Sequence, residues 1–424
     1  MKKTLIRLLA GIILGTGSLA AGAATMDITA SFTPSVSNPE NNTFTNTTPT
    51  GGYCSTWPQY CSGVSVEIPG IMGVSSRAIP ARQNADKRDG LFFKIPVTPH
   101  NVVVTNRENG ESHTVSFRAS AFGVQFTPAG DNNGWGAEGQ GTLGYPEYSG
   151  SNGCSSGAGG QFGTSGTATR FIWNFTTAAT AGCYRISILE RAAGIKFTNY
   201  NMGYILTAPD PLKMGAGIYE GSITYSVGPG GDFDFGDNIQ VSDTTLTINF
   251  TLTVNHELKL STTADNQQVA LQPCASGKVC TAEEGAANWE RWMINRITPE
   301  MTGRSNFSLS SSGAFTVYLK CEQQSGSDCA LRSDNTPSQT VPVQSLLTLP
   351  SSIVDSSTGA VVSKRRLAVG RDLKKNVFTT NSFGENQAGS IDFLVSKADV
   401  DTMLKTRPDT YRGAITVIFD PKIY

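Results

Sequence analysis

One strand signature occurs twice in this chain, and the repeat is the strongest constraint on its fold. Residues 219–225 read Tyr-Glu-Gly-Ser-Ile-Thr-Tyr, and residues 411–417 read Tyr-Arg-Gly-Ala-Ile-Thr-Val. In the second copy the residues at a period of two are Tyr411, Gly413, Ile415, Val417 and Phe419. This alternation is typical of a β-strand with one buried face. The repeat therefore predicts two β domains that share a strand arrangement.

The two copies differ in the segment that comes after each of them. After the first copy the chain turns through residues 228–236 and adds residues 245–254, where apolar residues alternate with Thr and Asn. The second copy has no such sequel before residue 424. If both copies close equivalent sandwiches, the C-terminal one lacks its last strand and exposes an apolar edge, which proteins normally cover. We therefore predict that the alternating residues of the second copy border an open groove.

Composition and length agree with two all-β domains. Glycine accounts for 45 of 424 residues and charged residues for 16%, which favours short strands joined by turns. We place a linker at residues 255–257, between an N-terminal domain at 25–254 and a C-terminal domain at 258–424. The predicted fold is thus two β-sandwiches, the second incomplete. A net charge of −1 argues against nucleic acid as a partner.

Residues 1–24 have the pattern of a secretory signal peptide. Lys2 and Lys3 precede an apolar run at residues 5–14, and small residues follow up to Ala24. We expect cleavage after Ala23 or Ala24, and export of the mature chain. No other apolar stretch approaches the ~18 residues of a membrane span, so an integral membrane protein is not expected.

The cysteines indicate disulfides rather than a metal site. Eight cysteines in an oxidising compartment predict four bonds, although ~105 pairings are possible. Sequence proximity favours Cys54–Cys61, Cys154–Cys183, Cys274–Cys280 and Cys321–Cys329. Zinc is disfavoured because no C-x2-C pair occurs and the three histidines are scattered. We predict no metal and no cofactor.

Several segments lack a clear strand pattern. Residues 25–52 show little periodicity and are expected to be irregular or an edge. Residues 128–168 are so rich in Gly that they are expected to form a loop, and loops of this length are commonly functional or disordered. Short structural helices are expected near residues 288–293 and 396–404. The tryptophans expected in the core are Trp173, Trp289 and Trp292.

Two groups of residues have the chemistry of a sugar-binding site. Such sites place an aromatic face against the sugar and a few carboxylates and amides around it. Within the Gly-rich loop the candidates are Asp131, Asn132, Asn133, Trp135, Glu138, Tyr145 and Tyr148. A second candidate pair lies in the small Cys54–Cys61 loop, Trp57 and Tyr60. The alternative is that these side chains only decorate their loops.

Catalysis is not expected. No G-x-S-x-G, H-E-x-x-H or P-loop motif occurs. Asp232 and Asp234 have the spacing of paired carboxylates, but a Gly-rich turn favours solvated turn residues over a glycosidase pair. Residues 364–366 are interpreted as a solvated basic turn. We therefore predict no catalytic residues.

The signal peptide, the two β domains, the join at residues 246–254 and the closing strand at 411–419 together resemble a family. The resemblance is to two-domain tip adhesins of chaperone–usher fimbriae, especially tip subunits of the colonisation-factor and cable-pilus group. It implies an N-terminal adhesin domain, often a lectin, and a C-terminal pilin domain with an incomplete immunoglobulin-like fold. It also implies secretion through the periplasm to the fimbrium tip at the cell surface.

The resemblance implies a set of partners. A periplasmic chaperone would lend the missing strand, and the N-terminal extension of an adjacent pilin subunit would replace it at an outer-membrane usher. A host glycan or glycoprotein would be the receptor. The carboxylate of Tyr424 is expected to meet a basic cleft of the chaperone. No alternating apolar extension is recognised before the N-terminal domain, which fits a subunit at the tip.

Two other functions stay open on the sequence alone. The protein could be a pilus initiator or cap without a receptor, or a secreted carbohydrate-active enzyme. In one adhesin type of the family, arginines near the end of the first domain contribute to binding. The corresponding residues 227–235 are acidic here, so we assign no receptor.

Overall fold

The fold is all-β, as predicted. A computed structural model describes residues 23–35, 37–38, 41, 43–52, 65–80, 86–127, 153–165, 168–185, 190–372 and 374–421. Strands dominate these residues and the helices are short. None of the described helices has the length and apolar character required to cross a membrane.

The strands that end at or before Val254 form what we call the N-terminal unit. They are β1 Ala24–Phe32, β2 Thr45–Asn46, β3 Ser65–Glu67, β4 Gly73–Ser75, β5 Leu91–Phe93, β6 His100–Asn106, β7 Ser112–Thr127, β8 Cys154–Ser165, β9 Ala168–Phe175, β10 Cys183–Arg185, β11 Lys196–Thr207, β12 Gly217–Ser226, β13 Ile239–Val241 and β14 Thr245–Val254. The main sheet has the order β13-β4-β11-β7-β6-β12-β14-β1-β2, and β5 pairs with β10. A short 3-10 helix occupies Pro211–Lys213.

Residues 25–52 were expected to be irregular or an edge; β1 shows that the irregular alternative is wrong, and the short β2 lies at the edge of the sheet. β1 runs parallel to β14 along its whole length, from Ala24 beside Leu246 to Phe32 beside Val254. Its inward residues are at most 6% exposed and are Ala24, Met26, Ile28, Ala30 and Phe32. The strand has a period of two once alanine is counted as apolar. Alanine fits the inward positions because the space between β1 and the rest of the core is close-packed. An alternating segment therefore does precede the rest of this unit, and it is paired within it.

β8 shows that the loop predicted for residues 128–168 is wrong in part. Cys154–Ser165 pairs with β9 in an antiparallel ladder whose register shifts after Ser156 and after Gln161. Glycine weakens a strand and favours bulges, but it does not prevent pairing with a regular neighbour. The predicted disulfide between Cys154 and Cys183 is present and anchors the start of β8. Residues 128–152 lie outside the described residues.

The strands from Leu258 onward form the C-terminal unit. They are β15 Leu258–Ser261, β16 Gln272–Cys274, β17 Glu300–Ser311, β18 Phe315–Cys321, β19 Gln324–Ser325, β20 Asp328–Ser333, β21 Thr340–Thr348, β22 Ile353–Asp355, β23 Arg365–Arg366, β24 Val377–Thr380, β25 Gly384–Val395, β26 Tyr411–Arg412 and β27 Ile415–Asp420. The helices are α1 Ala264–Gln267, α2 Ala282–Asn295 and α3 Lys397–Met403, followed by a 3-10 helix at Leu404–Thr406. The division of the chain at residues 255–257 into folding domains stays a prediction.

Two sheets of the C-terminal unit face each other as a sandwich. One contains β15-β17-β25-β21-β20-β19 with β16, β23 and β26 at its borders, and the other has the order β22-β24-β18-β27. Their shared core includes Leu309 and Leu347 from the first sheet and Phe315, Val317 and Phe378 from the second. The predicted disulfides Cys274–Cys280 and Cys321–Cys329 are both present. The first joins β16 to the start of α2, and the second joins β18 to β20.

The helices form where the sequence predicts them, but two tryptophans do not lie in the core. α2 begins with a capping box, in which Thr281 and Glu284 satisfy each other's backbone N–H groups. Trp173 of β9 is fully buried, as expected. Trp289 and Trp292 of α2 are only half-buried, because this helix covers the sheet with one face and presents the other to solvent.

Candidate functional site

The two copies of the repeated signature occupy β12 and the pair β26–β27. Each glycine of the signature lies against the backbone of a neighbouring strand. A Cβ atom at Gly221 would lie 2.3 Å from the carbonyl oxygen of Val103, and one at Gly413 would lie 2.8 Å from that of Ala330. Both positions therefore require glycine, because the backbone of a neighbouring strand approaches each of them too closely for a Cβ atom.

The tyrosines of the two copies also have similar roles. The hydroxyl of Tyr219 lies 3.0 Å from the carbonyl oxygen of Gly215, and that of Tyr411 lies 2.8 Å from the hydroxyl of Thr406. Both tyrosines thus bond back to the chain just upstream, like the tyrosine corner of immunoglobulin-type sandwiches. The tyrosine and the glycine of the signature therefore have similar surroundings in the two copies.

The neighbours of the first copy are strands on both edges. β6 pairs with one edge of β12, and β14 pairs with the other along ten residues, with Tyr219 beside Leu252 and Tyr225 beside Leu246. β1 then pairs with the other edge of β14. Every inward side chain of β14 is at most 1% exposed, so we call this pairing of β12, β14 and β1 the closed seam.

The second copy has strands on one edge only. β27 pairs with β18, from Ile415 beside Cys321 to Asp420 beside Thr316, and β26 pairs with β20. Among the described residues no strand pairs with the outer edge of β27, which is the last strand of its sheet. The position that β14 fills beside β12 is therefore open beside β27.

The inward side chains of β27 are left half-buried by this opening. Ile415, Val417 and Phe419 pack against the core of the C-terminal unit without being fully covered. The ring of Phe419 lies 5.4 Å from that of Phe307 and 5.9 Å from that of Phe315. These residues face the sandwich as predicted. The predicted strand, however, is interrupted at Gly413, and this glycine is itself exposed.

Three cavities border the segment 411–421, and we call them, together with the open edge of β27, the edge groove. A cavity of about 410 Å³ begins at Tyr411, Arg412 and Gly413 and extends under α2 and α3. A cavity of about 120 Å³ borders Gly413 and Ile415. A third, of about 280 Å³, lies at Pro421. Cavities therefore border both ends of the segment 411–421.

The opposite wall of the groove comes from residues that sequence reasoning did not select. Leu258 of β15 borders the cavity at Pro421, and Val269 and Leu271 border both cavities at Gly413. Residues 268–271 are irregular. Trp289 of α2 borders the cavity of about 410 Å³. The apolar triplet at 269–271 was visible in the sequence, but only the fold places it across from β26.

The charged groups around the edge groove are paired. Arg371 forms an ion pair with Asp420 at 3.0 Å, and Arg412 forms one with Asp334 at 2.5 Å. Arg407 lies over the ring of Trp292, with its guanidinium carbon 5.5 Å from the ring centroid. The groove floor is thus apolar and the charges lie at its rim, which suits a partner that contributes backbone hydrogen bonds and apolar side chains. Tyr424, the expected chaperone anchor, lies outside the described residues.

The junction between the two units lies at one end of the groove. The imidazole of His256 bonds through Nε2 to the carbonyl of Met214 at 2.8 Å and through Nδ1 to the hydroxyl of Ser312 at 3.2 Å. Because a carbonyl can only accept, Nε2 carries the proton and Nδ1 accepts from Ser312. Burial lowers the pKa of His256, although the Met214 carbonyl and Glu111 oppose this. One neutral side chain therefore connects the two units.

The acidic run in the N-terminal unit is structural. Asp234 is buried and accepts from both terminal nitrogens of Arg88, at 3.0 and 3.1 Å, and from the N–H groups of Gly230 and Gly236. Asp232 accepts from the backbone and hydroxyl of Ser226. The interpretation of this pair as solvated turn residues is wrong for Asp234, since its carboxylate replaces lost water with four protein donors.

Other polar groups of the two units also have structural partners. His113 lies 2.6 Å from Glu111, which accepts from Gly215 as well. Burial raises the pKa of Glu111, but bonds from His113, Tyr219 and Gly215 outweigh this and hold it below the usual value. Arg366, expected in a solvated turn, pairs with the buried Asp328. No group of three or more His, Cys, Asp or Glu residues suited to a metal occurs in the described residues.

The predicted sugar-binding residues lie outside the described residues. This applies to the set between Asp131 and Tyr148, to Trp57 and Tyr60, and to the disulfide Cys54–Cys61. The described neighbours of the larger set are β7, which ends at Thr127, and β8, which begins at Cys154. These candidates stay predictions.

The chain is similar to solved structures of fimbrial tip adhesins, although no family model and no curated protein matches it. One similar structure is a CFA/I chaperone–tip adhesin complex, at 11% identity and TM-score 0.25, with 95% of this chain and 97% of that chain covered. A point mutant of the CFA/I adhesin CfaE of enterotoxigenic Escherichia coli is similar at 11% identity and TM-score 0.26, with 95% and 93% covered.

A third similar structure is the CsuC–CsuE chaperone–tip adhesion subunit complex of Acinetobacter baumannii Csu pili, at 11% identity and TM-score 0.20, with 94% and 98% covered. These proteins are of the kind that the sequence resemblance named. The TM-scores are below 0.5, and the function proposed below therefore rests on the strand arrangement of this chain and not on these neighbours.

Proposed function

We propose that this protein is a fimbrial tip adhesin whose C-terminal unit is completed by a β-strand from a partner chain. The observation that carries the proposal is the contrast between the two copies of the signature. β12 has strands on both edges, whereas β27 has one only on the edge facing β18. An apolar edge of this kind favours strand addition, in which main-chain bonds give affinity and alternate side chains give specificity.

β14 indicates the direction of the added strand, and the length of the open edge indicates how many residues it has. β14 runs antiparallel to β12 and parallel to β1, the first strand of its unit. A strand added in the equivalent place would run antiparallel to β27 and parallel to β15. Residues 411–421 span about 35 Å at about 3.3 Å per residue, so the partner segment has about ten residues. Its N-terminal end would lie beside Pro421.

The partners in this proposal are a periplasmic chaperone, an outer-membrane usher and an adjacent pilin subunit. The chaperone would occupy the edge groove during secretion, and the N-terminal extension of the pilin subunit would occupy it in the fibre. Because β1 is paired with β14, the alternating segment at the start of the N-terminal unit is engaged within its own sheet. That arrangement suits a subunit that accepts a strand and donates none.

The receptor-binding role would belong to the N-terminal unit, with a glycan as the ligand class. The proposal gives the protein no catalytic function, and turnover of glycan substrates by the purified chain would contradict it. A cap without a receptor is the second candidate. Binding of the mature chain to host cells or a glycan array separates the two, because a cap would bind neither.

A fused strand tests the completion of the C-terminal unit. The segment attached after Tyr424 through a flexible linker has the sequence of β14, residues 245–254. We expect the melting temperature of the C-terminal unit to rise by more than about 5 °C, because the segment covers apolar side chains of β27. The matched control carries serine at the apolar positions of the added segment and should leave the melting temperature unchanged. Equal melting temperatures for both fusions would refute strand addition.

A further inference from the structure

The cavity at Pro421 borders the end of β27 and also the junction between the two units. Its volume is about 280 Å³, far above the ~10–15 Å³ that one water requires. From the C-terminal unit it is bordered by Leu258, Ala314, Phe315 and Pro421, and from the N-terminal unit by Met214, Gly215 and Ala216. A side chain that entered this cavity from the groove would therefore contact both units.

The lining is suited to an uncharged apolar side chain. Its polar members are His256, Glu257 and Ser311. The imidazole of His256 is engaged by Met214 and Ser312, and the backbone N–H of Glu257 donates to Ser312 at 2.8 Å. No cation lines the cavity among the described residues, so an acidic group would find no partner there. An apolar group would instead gain the contacts that the space now lacks.

The register of the signature shows how far a partner must reach. Tyr225 of β12 pairs with Leu246, the first apolar residue of β14, and Val417 is its equivalent in the second copy. A segment with the length of β14 would therefore end beside Val417 and Ile418. Two further inward positions of the partner would lie opposite Phe419 and Pro421. Only the second of these reaches the junction cavity.

We propose that the strand donor carries an apolar residue at its N-terminal end that fills this cavity and binds both units at once. The inference rests on the proposed strand addition and makes it more specific. It identifies the donor as an extended segment with alternating apolar residues that continues three residues beyond the N-terminal end of a strand with the register of β14. The donor then holds the N-terminal unit against the C-terminal unit as well as completing the sandwich.

Three fusions test the inference on the full mature chain. The first carries the β14 sequence alone after Tyr424. The second adds Leu-Thr-Leu before that sequence, which places leucine opposite Phe419 and Pro421. The third adds Ser-Thr-Ser and is the matched control. Hydrogen exchange measured by mass spectrometry follows the backbone amides of residues 212–217, which belong to the N-terminal unit and do not line the other two cavities.

The leucine extension is expected to slow exchange at residues 212–217 by about 10-fold or more relative to the serine extension, because opening the junction would expose a buried leucine. The unextended fusion should resemble the serine control. Equal exchange for the leucine and serine extensions, with the C-terminal unit stabilised in both, would overturn the inference and leave strand addition intact. Failure of all three fusions to stabilise the C-terminal unit would refute the proposed function as well.

Discussion

Replacing Phe419 by alanine is expected to cost little in the free protein and much more once the edge groove is filled. The ring already packs against Phe307 and Phe315, but its outer side lacks a neighbouring strand. Removing a fully buried phenylalanine costs about 3–5 kcal/mol, and an aromatic pair contributes about 0.5–1.5 kcal/mol. We therefore expect a loss of about 1–2 kcal/mol in the free chain and about 3–5 kcal/mol with the β14 segment fused after Tyr424.

The matched control is Phe250→Ala in β14. Phe250 is 1% exposed and lies beside Gly221 in the closed seam of the N-terminal unit. Its loss should cost about 3–5 kcal/mol whether or not the fused segment is present. Urea unfolding followed by tryptophan fluorescence gives the free energy of unfolding for each variant. A cost for Phe419→Ala that is the same with and without the fused segment would show that the ring does not face the added strand.

Two further predictions concern buried polar groups. Arg88→Met should destabilise the N-terminal unit by about 3–5 kcal/mol, because the buried carboxylate of Asp234 would lose its bidentate partner. Adding Asp234→Asn should recover part of this loss, measured by urea unfolding. The absence of any recovery would contradict the role of the ion pair. The pKa of His256 is lowered in the folded state, so the unfolded chain binds a proton at a higher pH than the folded chain does. The contribution of His256 to the free energy of unfolding is therefore fully present above the ordinary pKa of about 6.5. It falls as the pH drops below that value, by at most about 1.4 kcal/mol per pH unit. Denaturation midpoints of wild type and His256→Gln at about pH 7.5 and about pH 5.5 should show the smaller decrease in the variant, and equal decreases would assign the effect to other groups.

Short-range alternation was sufficient where the buried face carries large apolar residues. The bounds of β14 follow from alternation, and three disulfide pairs followed from sequence proximity. Pattern failed at β1, whose alanines hide its period, and at β8, whose glycines suggest a loop. In both cases pairing with a regular neighbour determined the outcome. Strand preference depends on cross-strand contacts more than on the residues of the strand itself.

The edge groove was predictable on one side only. The signature identifies Ile415, Val417 and Phe419, since a period of two defines a face within a single strand. Leu258 and Val269, across the groove, come from segments far away in sequence, and nothing local marks them as wall residues. The role of Arg88 as the partner of Asp234 was hidden for the same reason, because the two residues are 146 positions apart.

The sequence by itself determined that this chain is all-β and that one strand signature occurs twice, and it predicted that the second copy lacks the partner strand of the first. These properties are local, because alternation and turn residues act over a few positions. Only the tertiary structure decided that β1 pairs with the far edge of β14, that β27 is the last strand of its sheet, and that one of the cavities near it lies at the junction of the two units. Those properties depend on which distant segments meet, and that is decided by the packing of two sheets around a common core.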